Sequence, residues 1–346
     1  MTPTSTALSP RVAGRFTSLH ALVGNTPAIE IHCRYRDVDC VIVAKFEQHN
    51  FTGSIKDRMA LHILEVATCE GQLRSGATIV EATSGNTGIS LAALGRALDH
   101  PVRIHMPDWM SRERVLVIKS FGATIVPVSA EEGGFLGSIK QAEDWASANE
   151  NAFLPRQFES ASNTAAHELT TGPELLAQCT AAGHKLGAFV AGVGTGGTVM
   201  GVGRFLRQAV PEASVHPLEP ANSPTLRTGK KVGKHRIQGI SDEFVPAIVD
   251  LSGLDEIVDV WDGDAILMAQ RLASELGFGV GISSGANFLG ALKICHERGG
   301  RDVVGTVFPD CNKKYLSTDL CGDEEVREEY MTPAIKLSSC RVLPPA

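Results

Sequence analysis

The stretch KFEQHNFTGSIKDR, residues 45–58, decides how the chain is read. It closes an apolar run, Val41-Ile42-Val43-Ala44, passes turn formers at Asn50, Thr52 and Gly53, and opens a helix near Ser54 with Met59, Leu61, Ile63 and Leu64 as apolar residues. Strand, polar turn and helix start thus surround one lysine, Lys56. A free ammonium titrates at about 10.4, but one set among helix-terminal amides and shielded from water loses its proton more readily and then attacks carbonyls. Lysines in a first helical turn are also common as solvated surface charges, so Lys56 needs companions elsewhere in the chain.

Outward from this stretch the same unit repeats. Strand patterns lie at 40–46, 77–82, 102–107, 124–128, 152–155, 187–192, 214–219, 256–260 and 303–308. Helical patterns fall near 54–70, 86–98, 111–121, 134–148, 163–181, 197–208, 264–277, 284–297 and 314–320. Repeated β-α units predict a parallel sheet covered on both faces, with ligands gathered at the carboxyl ends of the strands. The segment 220–255, rich in Pro, Gly, Lys and Arg, breaks this rhythm and is too long for an ordinary connection, which marks a functional loop.

The 346 residues suffice for about two domains, and 43% hydrophobic against 21% charged residues describes a compact chain. A net charge of -7 and the lack of a long basic run argue against nucleic acid as a partner, and no apolar run is long enough to span a membrane. The eight cysteines include no C-x-x-C pair and read as reduced thiols of a cytoplasmic protein; no metal is expected. The Ser- and Thr-rich start, residues 1–15, reads as a flexible leader.

Three strand-to-helix loops supply the companions. ATSGNTG follows the second strand, so Thr83, Ser84, Asn86 and Thr87 stand beside backbone N–H groups at a helix start; this is either a carboxylate site or an ordinary capped turn. GVGTGGT follows the strand ending at Ala191, and Gly194, Thr195, Gly196, Gly197 and Thr198 let the backbone approach a phosphate at a helix N-terminus. Gly192, Gly194 and Gly197 also satisfy G-x-G-x-x-G with Glu219 as a possible ribose acceptor, so an NAD-dependent dehydrogenase competes. GISSGAN places Ser283 and Ser284 at a further helix start, as caps or as neutral partners for a heterocyclic nitrogen.

Together these residues suggest a pyridoxal phosphate enzyme, and the motifs VGNTP at 23–27, GSIKDR, TSGNTG, MSRER, TTGPE at 170–174, GVGTGGT, HRIQGI at 235–240, GISSGA and KYLST at 314–318 occur in family order. The chain resembles the cysteine synthase (O-acetylserine sulfhydrylase) and cystathionine β-synthase family of the tryptophan synthase β-subunit fold type, fold type II. The resemblance implies two three-layer α/β/α domains: a smaller mobile one at 50–160 and a larger cofactor-binding one from 16–49 plus 161–346. It implies that Lys56 binds pyridoxal phosphate covalently and moves the substrate's Cα proton, and that Asn86 meets the phenolic oxygen. Gly194, Thr195, Gly196, Gly197 and Thr198 then hold the phosphate, and Ser283 meets the pyridine nitrogen. Thr83, Ser84, Asn86, Thr87 and Gln157 take the substrate's carboxylate. The implied reaction is O-acetyl-L-serine plus sulfide giving L-cysteine and acetate through α-aminoacrylate, by a homodimer.

The chain departs from the family pattern at NFTGSIKDR, where many members carry proline after the asparagine, and at GISDEF, residues 239–244. Asp242 is either a solvated loop acid or a general base for water, which would turn the reaction toward cysteine lyase or β-exchange chemistry. Cystathionine β-synthase activity is the lesser reading, since His32 and Cys33 lack the family's haem-binding context and no regulatory module is expected after the core.

Overall fold

The computed structural model describes residues 8–241 and 243–346. From the N-terminus come α1 (Pro10–His20), β1 (Ala28–Tyr35), β2 (Val38–Phe46), α2 (Lys56–Cys69), β3 (Thr78–Ala82), α3 (Asn86–Ala97), β4 (Val102–Pro107), α4 (Arg112–Ser120), β5 (Thr124–Val128), α5 (Gly134–Ala148) and β6 (Ala152–Phe153). Then follow α6 (Ala161–Ala166), α7 (Gly172–Ala181), β7 (Leu186–Gly192), α8 (Gly197–Ala209), β8 (Ser214–Pro220), α9 (Thr225–Thr228), β9 (Val258–Val260), α10 (Asp262–Leu276), α11 (Ile282–Glu297), β10 (Val303–Phe308) and β11 (Ile335–Leu343). The chain divides into two compact units: the residues up to Gly24 with Asn50–Asn163, and Asn25–His49 with Thr164–Ala346.

In the first unit the sheet runs β5-β4-β3-β6, all parallel. Right-handed crossovers put α3 and α4, which step from β3 to β4 to β5, on one face, and α5, which steps back to β6, on the other. Leu61 and Leu64 of α2, Ile89 and Leu94 of α3, and Ile79 and Ile104 of the sheet share one core. Residues 10–15, read from sequence as part of a leader, are helical instead. Ser9 caps α1, Pro10 fits its first turn, and Phe16 and Leu19 are buried in the same core, so this helix groups with the first unit and not with the larger one.

The second unit is a seven-stranded sheet, β11-β1-β2-β10-β7-β8-β9. Its five strands from β2 to β9 are parallel, as the β-α rhythm predicts, but β1 pairs antiparallel with β2 and β11 antiparallel with β1. By the same handedness rule α8 covers one face, and α10 and α11, which lead back from β9 to β10, cover the other. Ile29, Ile31, Cys33 and Tyr35 alternate inward along β1. Between them Glu30 is buried: burial raises its carboxyl pKa, but hydrogen bonds from Arg341, His32 and His184 outweigh that and bring it down to about 2.

Two helical expectations change. The pattern at 163–181 is α6 and α7 joined by a π-helical turn, His167–Thr171, and that at 314–320 is replaced by 3-10 turns, the second capped by Thr318. Among the described residues no helix is long and apolar enough to cross a membrane.

Two of the motifs prove to be structural. Lys45, fully buried at the end of β2, donates to Thr26 O at 2.6 Å and Gln178 Oε1 at 3.0 Å, and its Nζ lies 2.9 Å from Glu174 Oε2. Glu174, of TTGPE, also accepts from the backbone N–H groups of Asn25 and Thr26, in VGNTP. Removing one partner of a buried pair strands the other charge. Lys45→Met is therefore expected to lower the unfolding free energy by about 3–5 kcal/mol, read as a shifted midpoint in urea denaturation.

Candidate active site

In the first unit Lys56 is the first residue of α2, half-buried. The turn before it is held from within the helix, because buried Asp57 accepts from Thr52 N and from Thr52 Oγ1, both at 2.6 Å. That carboxylate lies in the first turn, where the helix dipole favours negative charge. Thr52 Oγ1 also stands 3.5 Å from Ser90 Oγ, linking the lysine's turn to α3.

The ATSGNTG loop enters α3 at Asn86. Gly85 N donates to Thr83 Oγ1 at 3.0 Å, and Thr87 Oγ1 donates to Gln157 Oε1 at 2.7 Å. Gln157 Nε2 donates to Ala82 O at 2.7 Å, so Gln157 is folded onto the loop from a distant part of the sequence. Thr83, Ser84, Asn86, Thr87 and Gln157 thus gather at the carboxyl end of β3, as the sequence predicts. Arg114 of α4 was not foreseen: its Cδ stands 2.2 Å from where a Cβ on Gly85 would be. Only its membership of the MSRER motif pointed to it.

In the second unit β7 ends at Gly192 and α8 begins at Gly197. A Cβ at Gly194 would lie 2.2 Å from Gly239 O, and Gly196 has φ +88°, so the loop is a bare backbone cradle that no side chain can fill. Gly197 N donates to Thr195 Oγ1 at 3.3 Å. Thr198 Oγ1 lies 3.4 Å from Nε2 of buried His167, in the π-helical turn; no feature of HELTT distinguishes that turn from ordinary helix. The cradle is steadied from both flanks: Gly192 N donates to Asn287 Oδ1 at 2.8 Å, and Ser241 N donates to Val193 O at 2.7 Å. Ser241 itself has φ +52°, held by its hydroxyl's bonds to Ser223 O and Thr225 Oγ1. Asp242, the candidate base, lies outside the described residues.

Ser283 and Ser284 open α11, both buried, and the Ser284 hydroxyl has no hydrogen-bond partner among the described residues. Asp310, at the end of β10, accepts from Tyr315 OH at 2.9 Å and lies against Gly281, just before the two serines. Glu219, the ribose acceptor of the dehydrogenase reading, is consumed: it accepts from Leu226 N at 2.6 Å and Arg227 Nη1 at 3.1 Å. It is also fully buried, so it is not presented to a sugar.

A glycine-rich cradle with threonine hydroxyls and a neutral serine pair in the second unit, and a helix-start lysine in the first, are residue types that suit pyridoxal phosphate. The family model for "pyridoxal-phosphate dependent enzyme" matches residues 19–310. The chain belongs to this family. It is 40% identical to the probable cysteine synthase of Bacillus subtilis (strain 168) over 86% of this chain and 96% of that one. A cysteine synthase of Staphylococcus aureus (strain Mu50) is also 40% identical, over 86% of this chain and 95% of that one. Among solved structures, a hydrogen sulfide-producing enzyme from Fusobacterium nucleatum is 51% identical with a TM-score of 0.93, covering 96% of this chain and 99% of that one. The same enzyme has been solved as an aspartate-to-asparagine variant holding an α-aminoacrylate intermediate. The dehydrogenase reading falls with these findings, and pyridoxal phosphate is the cofactor of this fold type II enzyme.

Proposed function

We propose that the enzyme carries out β-replacement on an activated L-serine, converting O-acetyl-L-serine and sulfide to L-cysteine and acetate. The observation that carries this is the likeness to cysteine synthases over nearly their whole length. The cofactor supplies an electron sink for the charge left at the substrate's Cα. Lys56 Nζ would hold the cofactor and would take the proton from the substrate's Cα. Thr83, Ser84, Asn86, Thr87 and Gln157 bind and orient the carboxylate. Asn86 would donate to the cofactor's phenolic oxygen, the backbone of Gly194, Thr195, Gly196, Gly197 and Thr198 with the two threonine hydroxyls would hold its phosphate, and Ser283 would meet its ring nitrogen without charging it. The reading includes a cytoplasmic homodimer, a setting in which the eight free cysteines stay reduced.

A second reading, release of sulfide from cysteine with water as the incoming nucleophile, is favoured by the 51% identity to the Fusobacterium enzyme. In it Asp242 is the general base for water. Purified holoenzyme assayed with O-acetylserine plus sulfide, and separately with cysteine alone, decides between the two. Cysteine formation as the faster reaction supports the first reading; serine and sulfide formed from cysteine with negligible synthesis overturns it in favour of the second. In that case Asp242→Ala is expected to slow sulfide release by about 10^2-fold or more.

A further inference from the structure

Gln157 reaches the ATSGNTG loop through its side chain, but its backbone is placed by a different residue. Glu81, on β3 and 4% exposed, accepts from Ala82 N through Oε1 at 2.9 Å and from Gln157 N through Oε2 at 3.1 Å. Each oxygen of this buried carboxylate therefore has one N–H donor. The Gln157 side chain then returns to Ala82 O and receives the Thr87 hydroxyl, which closes a ring of hydrogen bonds around the end of β3.

We propose that Glu81 is a positioning residue for substrate: its ionised side chain, clamped between the N–H groups of Ala82 and Gln157, holds Gln157 and Thr87 where they receive the substrate's carboxylate. The inference rests on the assignment of these loop residues to the carboxylate. Protonation replaces acceptor capacity on one oxygen with an O–H, so the side chain no longer accepts fully from both N–H groups and its hold on the Gln157 backbone weakens.

Burial pushes the Glu81 pKa up to about 7, against the pull of the two N–H groups and of Arg156. The charged groups on the elements around it are few. Arg156 pairs with Glu143 of α5 at 3.0 Å, Lys140 and Asp144 of the same helix pair with each other, and α3 carries only Arg96, in its last turn. On β4, His105 lies opposite Ala82 and is held below the ordinary histidine range by burial and by Arg103. β6 has no titratable side chain.

The test is calorimetric titration of holoenzyme with propanoate, a carboxylate with no amine and no leaving group, between pH 6 and pH 8. With the clamp ionised in about nine-tenths of molecules at pH 8 and one-tenth at pH 6, the apparent Kd is expected to rise about ten-fold on acidification. In Glu81→Gln, whose amide has one acceptor in place of two, binding is expected to be weak at both pH values and flat between them, with the amino-acid KM raised and kcat at saturation nearly unchanged. A wild-type Kd that does not change with pH overturns the proposal even if the variant fails to fold, as does a folded variant that binds like wild type. Because propanoate binding needs no turnover, pH-dependent binding in a protein that makes neither cysteine nor sulfide leaves Glu81 its role and overturns the functional reading alone. Intact synthesis with pH-independent binding does the reverse.

Discussion

Lys56→Ala is expected to abolish turnover while leaving the fold intact. The side chain projects from the first residue of α2, and the bonds from Thr52 N and Oγ1 to Asp57 in the preceding turn do not involve it, so its loss leaves them in place. On the proposed roles, what would be lost is the proton carrier at Cα and the covalent hold on the cofactor. General-base removal alone accounts for about 10^2 to 10^4-fold, and loss of covalent catalysis adds to it, so kcat/KM should fall by at least about 10^4-fold. Steady-state rates with O-acetylserine and sulfide, and with cysteine, measure the loss. Borohydride treatment should fix the cofactor to wild type and not to the variant. A Lys56→Ala protein that retains a tenth of the activity would remove Lys56 from the mechanism.

Gly194→Ala should instead attack cofactor retention. The added methyl would stand 2.2 Å from Gly239 O, a backbone atom, and so cannot be accommodated by turning a side chain. Either the cradle or the 237–241 loop must move, and that loop is pinned to the cradle through the bond from Ser241 N to Val193 O. Overpacking of this kind costs about 1–3 kcal/mol, and if it falls on the proposed phosphate site it is expected as about ten- to hundred-fold weaker binding of pyridoxal phosphate. Equilibrium dialysis of apoenzyme with the cofactor reads this directly. The comparison is Gly229→Ala, at a positive-φ glycine with nothing near its Cβ, which should strain the backbone yet leave cofactor affinity unchanged.

The loops proposed to carry chemistry stood out because their residue types have few other uses at those positions. A run such as GVGTGGT, with four glycines in seven residues, has little side chain with which to build a core, and at the end of a strand it suits close backbone approach. Gln157 was reachable only through the family resemblance, since it arrives from a different loop, and Glu81 passed as one more residue of a strand pattern. β1 was missed because Glu30, His32 and Arg34 make the alternation look like a surface segment, although Glu30 is buried by partners far away in sequence. β11 was missed for the opposite reason. Its central residues, Ser338 to Val342, are exposed on an edge strand and carry no apolar period to detect. The π-helical turn and the 3-10 turns near Tyr315 depend on local hydrogen bonding that composition does not encode.

The strand order of the larger sheet also sets when it can form during synthesis. β2 pairs with β1 in a local hairpin, but its other edge is completed by β10, as in the pairing of Ile42 with Val304, about 260 residues later. Until that strand leaves the ribosome, the edge bearing Val41, Ile42 and Val43 has no mate, whereas Asn50–Asn163 contains every strand of its own sheet and can condense first. A nascent chain halted before Val303 thus presents an apolar strand edge of the kind that chaperones bind and that aggregates grow from.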